Sequence, residues 1–113
     1  MKQKLFSKSL NVTGTYKIFL TRHAENDLIE IYDYIAMDSP ASASAFVLAL
    51  EKKVFSLSTM PERGPLIPEN ILLGTRYRHL IHGKYRIIFK VYDQTVTILR
   101  VIHGNMLLEL QSR

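Results

Sequence analysis

The 113-residue chain is 47% hydrophobic and 22% charged, which fits one globular domain and excludes a disordered chain. Its formal charge of +5 favours anionic partners such as nucleic acid, an acidic peptide or a membrane surface. The chain has no cysteine, which excludes disulfides and thiolate metal sites, and no apolar run of membrane length, so we expect a soluble cytoplasmic protein.

The first predicted elements are a strand and a helix. Residues 1–14 include three lysines but no continuous apolar core, and we interpret them as a flexible N-terminal extension rather than a signal peptide. Apolar side chains alternate from Tyr16 to Leu20, which predicts a strand over about residues 15–21. From Ala24 onward apolar residues recur at helical spacing with acidic residues on the other face, so an amphipathic helix should run to about Asp38.

A second helix is predicted directly after the first. Ser39 is a suitable N-cap, and Pro40 suits the first helical position, where a missing N–H costs nothing. The buried stripe of this helix continues until Met60, and the short break before it predicts a helical hairpin. The prolines and glycine between Pro61 and Pro68 indicate a stiff connection.

The last part of the chain is predicted to form three strands. Extended patterns cover about residues 75–82, 85–92 and 95–103, with turns at residues 83–84 and 93–94. Such short loops predict an antiparallel meander. The element order is βααβββ, and the predicted fold class is α+β, with a helical hairpin packed on a small, mainly antiparallel twisted sheet.

Basic side chains interrupt the last two strand patterns. Arg86 and Lys90 lie in one of them, and Arg100 and His103 lie in the other. Because burial of an unpaired charge is costly, we expect these groups to face solvent, a partner or a reacting group. The sequence leaves open that Arg86 and Arg100 pair with helix carboxylates, and it favours a turn-stabilising or packed role for His103.

Five short segments occur in a fixed order on the predicted elements. They are Ala24-Glu25-Asn26-Asp27-Leu28, Tyr34-Ile35-Ala36, Pro61-Glu62-Arg63-Gly64, Tyr85-Arg86-Ile87-Ile88-Phe89 and Ile98-Leu99-Arg100-Val101-Ile102-His103-Gly104. This order resembles the RelE/ParE toxin superfamily, and most closely its ParE-like, plasmid-stabilisation branch. The resemblance implies a toxin domain at residues 15–104 and leaves residues 105–113 as a C-terminal tail.

The resemblance also implies a type II toxin–antitoxin pair. The toxin would be neutralised by a cognate antitoxin and could form a hetero-oligomer with it. RelE-like members cleave mRNA on the ribosome without metal, whereas ParE-like members inhibit DNA gyrase, and neither activity implies a cofactor, a metal site or a membrane partner. The predicted antitoxin- or target-binding residues are the cations of the last three strands: Arg76, Arg78, Arg86, Lys90 and Arg100.

An endoribonuclease needs cations at the phosphate and an acid for the leaving oxygen. Under that alternative Arg86 matches the strand arginine of RelE-like enzymes, Arg100 assists it and His103 is the acid. Ribonuclease members usually carry a further basic residue after the last strand and a C-terminal tyrosine, but here Asn105 follows Gly104 and the tail has no tyrosine.

The spacing of Arg100 and His103 also argues against the ribonuclease hypothesis. Arg100 and His103 are three residues apart, so they point to opposite faces of a regular strand unless a bulge re-aims one of them. The sequence therefore favours a non-enzymatic, ParE-like toxin that binds gyrase. A RelE-like endoribonuclease and an inactive member that only binds antitoxin remain the alternatives.

Overall fold

The computed structural model describes residues 15–109, which form a four-stranded sheet with a helical hairpin on one face. In chain order the elements are β1 (Lys17–Leu20), α1 (Arg22–Ala36), α2 (Pro40–Phe55), the one-turn helix α3 (Asn70–Leu73), β2 (Arg78–His82), β3 (Tyr85–Tyr92) and β4 (Thr95–His103). Short 3₁₀ turns at Ser56–Ser58 and Pro61–Arg63 precede α3. The predicted α+β class and the predicted order of the principal elements are confirmed.

The sheet has the order β1-β4-β3-β2. Strands β2, β3 and β4 form the predicted antiparallel meander, and β1 pairs with β4 in parallel, opposite to the other ladders. The β3–β4 turn places both Asp93 and Gln94 in the left-handed region, with φ of 51° and 64°, as in a two-residue hairpin whose twist matches its strands.

Local capping starts both long helices. The Thr21 hydroxyl accepts a hydrogen bond from the Ala24 N–H at 3.1 Å, and the Ser39 hydroxyl accepts one from the Ser42 N–H at 3.1 Å. Pro40 occupies the first turn of α2, as predicted. The helix ends differ slightly from the predicted ones, since α1 ends at Ala36 and α2 ends at Phe55 before a 3₁₀ turn.

Two apolar clusters lie on opposite faces of the sheet. The larger one joins α1 and α2 to the helix face of the sheet and includes Leu28, Leu50 and Phe89. The smaller one lies on the far face, where Ile67 and Leu108 cover Ile88 and Ile102. The sheet is thus covered on its far face as well, but only in part.

The connection after α2 is more structured than predicted. The prediction of a strand over residues 75–82 was wrong at its start, because β2 begins only at Arg78. The Asn70 side chain accounts for the difference: its Oδ1 accepts from the Thr75 hydroxyl at 2.7 Å and from the Tyr77 N–H at 2.9 Å, which holds these residues in a loop. The predicted N-terminal extension, residues 1–14, lies outside the described residues, as do residues 110–113.

Candidate functional site

Arg86 lies on the far face of β3 and is only 4% exposed. Its Nη1 donates to Oε1 of Glu69 at 3.2 Å, and its Nη2 donates to the other carboxylate oxygen. Nη2 also donates to the Met106 carbonyl at 2.8 Å, while Nε is buried without a partner. The expectation that Arg86 faces solvent, a partner or a reacting group is therefore wrong, because an ion pair compensates its burial.

Glu69 connects three parts of the chain through one carboxylate. It precedes α3, pairs with Arg86 of β3, and its Oε2 accepts from the Leu108 N–H at 3.0 Å. The Arg86 guanidinium is the main reason that the pKa of Glu69 falls from 4.5 to about 2, and the Leu108 N–H adds to the effect. The carboxylate thus stays ionised and anchors the C-terminal tail to the sheet.

His79 of β2 completes the surroundings of Arg86. Its Nδ1 lies 3.2 Å from Nη1 of Arg86, a geometry in which the imidazole accepts as the neutral form. Burial, together with the charge of Arg86, lowers the pKa of His79 below its usual value. A neutral histidine, an ionised glutamate and the Met106 carbonyl therefore surround the two terminal nitrogens of the guanidinium.

Arg100 is held by α1 rather than by the sheet. Its Nε and Nη2 donate to the two carboxylate oxygens of Asp27 at 2.7 and 2.8 Å, and Asp27 also accepts from the Val101 N–H at 2.8 Å. Asp27 is the main cause of the raised pKa of Arg100. This bidentate pair caps the edge of β4 beyond the end of β1, and it matches the alternative in which Arg100 pairs with a helix carboxylate.

A bulge shifts the register of β4 just before Arg100. Phe89 pairs with Ile98 and Ile88 pairs with Arg100, so Leu99 is the additional residue. Since the ladder is regular from Arg100 to His103, these two residues belong to opposite faces of the strand. The register alone therefore separates them, and it is the bond to Asp27 of α1 that brings the Arg100 guanidinium to the helix side of the strand edge.

His103 lies on the helix face, where its ring is 5.6 Å from that of Tyr85. Its Nδ1 accepts from the Asn105 N–H at 3.2 Å, which stabilises the turn after β4. His103 and Arg100 both line a surface cleft of about 210 Å³ between α1 and β4, but Arg86 does not. The three residues of the ribonuclease alternative are not brought together.

The remaining predicted cations differ in their surroundings. Arg78 donates to the carbonyls of Gly64 and Glu62 at 2.8 and 3.1 Å and so fixes the connection before α3. Arg76 and Lys90 are exposed, and neither side chain forms a hydrogen bond or ion pair with another residue of the described part. Only these two of the five predicted binding cations are free to meet a partner without breaking a contact.

Sequence reasoning did not identify the carboxylates that partner the arginines. Glu69 stands alone between Pro68 and Asn70, and no periodicity marks it as buried. Asp27 lies in the first resemblance segment and could have been found as the one acidic residue on the buried stripe of α1. Within residues 15–109 no group of three His, Asp or Glu side chains could hold a metal ion.

No helix of the described chain is both long and apolar enough to cross a membrane. The fold itself, a helical hairpin on a β1-β4-β3-β2 sheet, is that of the RelE/ParE toxin superfamily. The profile of the family described as "ParE toxin of type II toxin-antitoxin system, parDE" matches residues 18–108. The chain belongs to this family of toxins.

Two solved structures share the fold. A chain of the chromosomal ParDE toxin–antitoxin system from P. aeruginosa is 23% identical with a TM-score of 0.63, and the match covers 80% of this chain and 98% of that one. A chain of the toxin–antitoxin complex RelBE2 from Mycobacterium tuberculosis is 25% identical with a TM-score of 0.60, and the match covers 81% of this chain and 94% of that one. A comparison with curated protein sequences gave no match.

Proposed function

We propose that this ParE-type toxin arrests growth by binding DNA gyrase and that a cognate antitoxin neutralises it in the cytoplasm. The observation that carries the proposal is the sequestration of Arg86. A phosphate-binding arginine must offer N–H donors to its substrate, but here both terminal nitrogens of the guanidinium are engaged with Glu69 and the tail. Activity by binding requires no such donors.

The surroundings of the other two residues support the same conclusion. Arg100 is neutralised by Asp27, and His103 lies on the opposite face of the sheet from Arg86, with its Nδ1 accepting from the protein backbone. A general acid must lie within hydrogen-bond reach of the leaving group that the cations also hold. A phosphate on the Arg86 side of the sheet would be out of reach of His103.

The RelE-like endoribonuclease is the second candidate, and the fold shared with the RelBE2 complex favours it. This activity would require Arg86 to release Glu69 and the Met106 carbonyl on binding RNA. A third candidate, an inactive member that binds antitoxin only, predicts no growth arrest when the protein is expressed alone.

Arg86→Ala alone is a poor test, because it leaves the Glu69 carboxylate buried without its cation and threatens the fold. The double variant Arg86→Met with Glu69→Gln removes both charges and keeps an acceptor for the Leu108 N–H. Under our proposal this variant, once shown to be folded by circular dichroism, still arrests growth. Loss of toxicity in the folded double variant would instead favour the endoribonuclease.

Assays with purified protein then distinguish gyrase from ribosome-bound mRNA as the target. We expect it to block supercoiling of relaxed plasmid by gyrase and to leave ribosome-bound mRNA intact. Cleavage of that mRNA, with supercoiling unaffected, would contradict the gyrase proposal. Co-expression with the antitoxin should restore growth, and its failure to do so would contradict neutralisation.

A further inference from the structure

The surface cleft between α1 and β4 combines aromatic rings with charged groups. Its α1 wall includes Glu30 and Tyr34, and its sheet wall includes Tyr85, Arg100 and His103. The cleft has a volume of about 210 Å³, which is below the range of about 300–1,000 Å³ that is typical of sites for drug-sized ligands. A cleft of this size suits a single large side chain of a partner.

The charges that line the cleft do not cancel. Asp27 and Arg100 neutralise each other through their bidentate pair, whereas the carboxylate of Glu30 is exposed and forms no hydrogen bond or ion pair with another residue of the described part. Asp27 is the main cause of the raised pKa of Arg100 and the charge of Glu30 adds to it, so Glu30 lies near the pair. With two carboxylates against one guanidinium, the cleft is locally negative in a chain whose formal charge is +5.

Aromatic rings lie on both walls of the cleft. On the sheet wall the Tyr85 ring lies 5.7 Å from that of Phe46 and 5.6 Å from that of His103, and the Asn105 N–H fixes the orientation of His103. On the α1 wall Tyr34 is 71% exposed, so its ring is accessible to a partner. Rings that flank an unpaired carboxylate form the kind of site with which proteins recognise organic cations.

Among the cationic side chains, arginine fits these groups better than lysine. Its planar guanidinium stacks on aromatic faces and offers a fork of N–H donors that matches a carboxylate such as that of Glu30. The lysine ammonium is a strongly hydrated point charge, so it gains less from a ring such as that of Tyr34. Arginine is also one of the residues that most often carry the binding energy of protein interfaces.

We propose that the cleft between α1 and β4 binds an arginine side chain of the protein target, which pairs with Glu30 and stacks on Tyr34. This proposal rests on the proposed function, since the target named there is DNA gyrase. Glu30, Tyr34 and Met37 follow one another at spacings of four and three residues, which places them on one face of α1. Because Met37 is 84% exposed, it offers apolar contact area to the target beside the cleft.

Binding of the side chain alone is tested by titrating the isotope-labelled full-length protein with N-acetyl-arginine amide and recording NMR spectra. The amide signals of Ile31, Tyr34 and His103 should shift in a saturable way, with a Kd of about 1–10 mM. N-acetyl-citrulline amide has nearly the same shape without the charge and should bind about fivefold or more weakly. Absence of shifts at these amides, or equal binding of the two probes, would overturn the proposal.

Substitutions in the α1 wall test the carboxylate and the ring separately. Glu30→Gln keeps the length of the side chain and removes its charge, and Tyr34→Ser removes the exposed ring, so each should weaken binding of the arginine probe about threefold or more. The matched controls are Glu62→Gln and Tyr92→Ser, an exposed glutamate and an exposed tyrosine outside the cleft. Both controls should bind the probe within about 1.5-fold of the wild type. Wild-type affinity of Glu30→Gln or Tyr34→Ser would overturn the assigned contact.

Inhibition of purified gyrase tests the source of the arginine. The double variant Glu30→Gln with Tyr34→Ser changes only exposed side chains, and about tenfold or more of it should be needed for half-inhibition of supercoiling. The double control Glu62→Gln with Tyr92→Ser should inhibit within about twofold of the wild type. Wild-type potency of the first double variant would overturn this proposal and leave the proposed function intact. Absence of inhibition by the wild type would overturn the proposed function, and with it the assignment of the arginine to gyrase.

Discussion

Glu69 and Arg86 form a buried ion pair that joins the connection before α3 to the centre of the sheet. Their side chains are 7% and 5% exposed, and each has a further contact with the C-terminal tail. Breaking such a pair costs more than replacing both partners, because a single replacement leaves an unpaired charge in the interior. The pair therefore determines how variants of either residue must be interpreted.

Glu69→Gln should lower the free energy of unfolding by about 3 kcal/mol, since Arg86 then remains buried without a carboxylate. Adding Arg86→Met should recover most of this loss. Urea unfolding of the two variants and the wild type measures both effects. Glu62→Gln, an exposed residue of the same connection, is the control and should change stability by less than about 0.5 kcal/mol. Equal stability of the single and double variants would contradict the interpretation.

Acid should destabilise the protein over a pH range that is determined by the pKa of Glu69. Its pKa is lowered in the folded state from 4.5 to about 2, so the unfolded chain binds the proton first as the pH falls. The contribution is fully present above about pH 5, is lost between about pH 4.5 and pH 2, and amounts to about 3 kcal/mol. Urea unfolding at a series of pH values measures this slope.

The double variant Arg86→Met with Glu69→Gln is the control for this range, because it lacks the titrating carboxylate. We expect its stability to fall less between pH 4.5 and pH 2 than that of the wild type. His79, whose pKa is also lowered, should add a loss that begins as the pH falls below 6.5 and that His79→Gln removes. An unchanged slope in the double variant would assign the acid sensitivity to other carboxyl groups.

The tail provides a test with neighbouring matched positions. Leu108 is 5% exposed and packs in the far-face cluster, whereas Leu107 is 71% exposed. Leu108→Ala should cost about 2–3 kcal/mol and Leu107→Ala less than about 0.5 kcal/mol, measured by urea unfolding. A small effect of Leu108→Ala would show that the tail contributes little to the sealed half of the sheet.

Local patterns in the sequence predicted the principal elements but not the pairing of β1 with β4. The period of two in β3 and β4 and the cap at Ser39 are properties of neighbouring residues, so they could be identified from the sequence. The parallel pairing of β1 with β4 joins residues 78 positions apart, as in the pairing of Lys17 with Thr95, and no local signal encodes it. The start of β2 was misplaced because the Asn70 side chain overrides the extended pattern of Thr75 and Tyr77.

In the candidate site, too, the sequence revealed local features but not contacts between residues distant in the chain. The sequence identified Arg86 and Arg100 as unusual because a charge in an apolar strand is a local anomaly. Their partners are distant in the chain, with Glu69 17 and Asp27 73 residues away. A buried ion pair and an open binding cation produce the same strand pattern, and only the fold distinguishes them.

Gly64 is the last residue of the segment Pro61-Glu62-Arg63-Gly64, and its neighbours leave no room for a side chain. A Cβ at this position would lie 2.8 Å from the His79 carbonyl oxygen and 2.9 Å from Cζ of the buried Phe89 ring. Neither neighbour can yield easily, since one is strand backbone and the other is fully buried. Gly64→Ala should therefore lower the free energy of unfolding by about 2 kcal/mol or more.

Gly104→Ala is the matched control for this substitution. Its added methyl group would meet only the Lys84 carbonyl oxygen at 3.4 Å, close to ordinary contact, and Gly104 has no positive φ. We expect a change below about 0.5 kcal/mol for Gly104→Ala in the same urea experiment. If Gly64→Ala proved equally mild, the connection would have to shift away from Phe89, and the Arg78 hydrogen bond to the Gly64 carbonyl would be weakened.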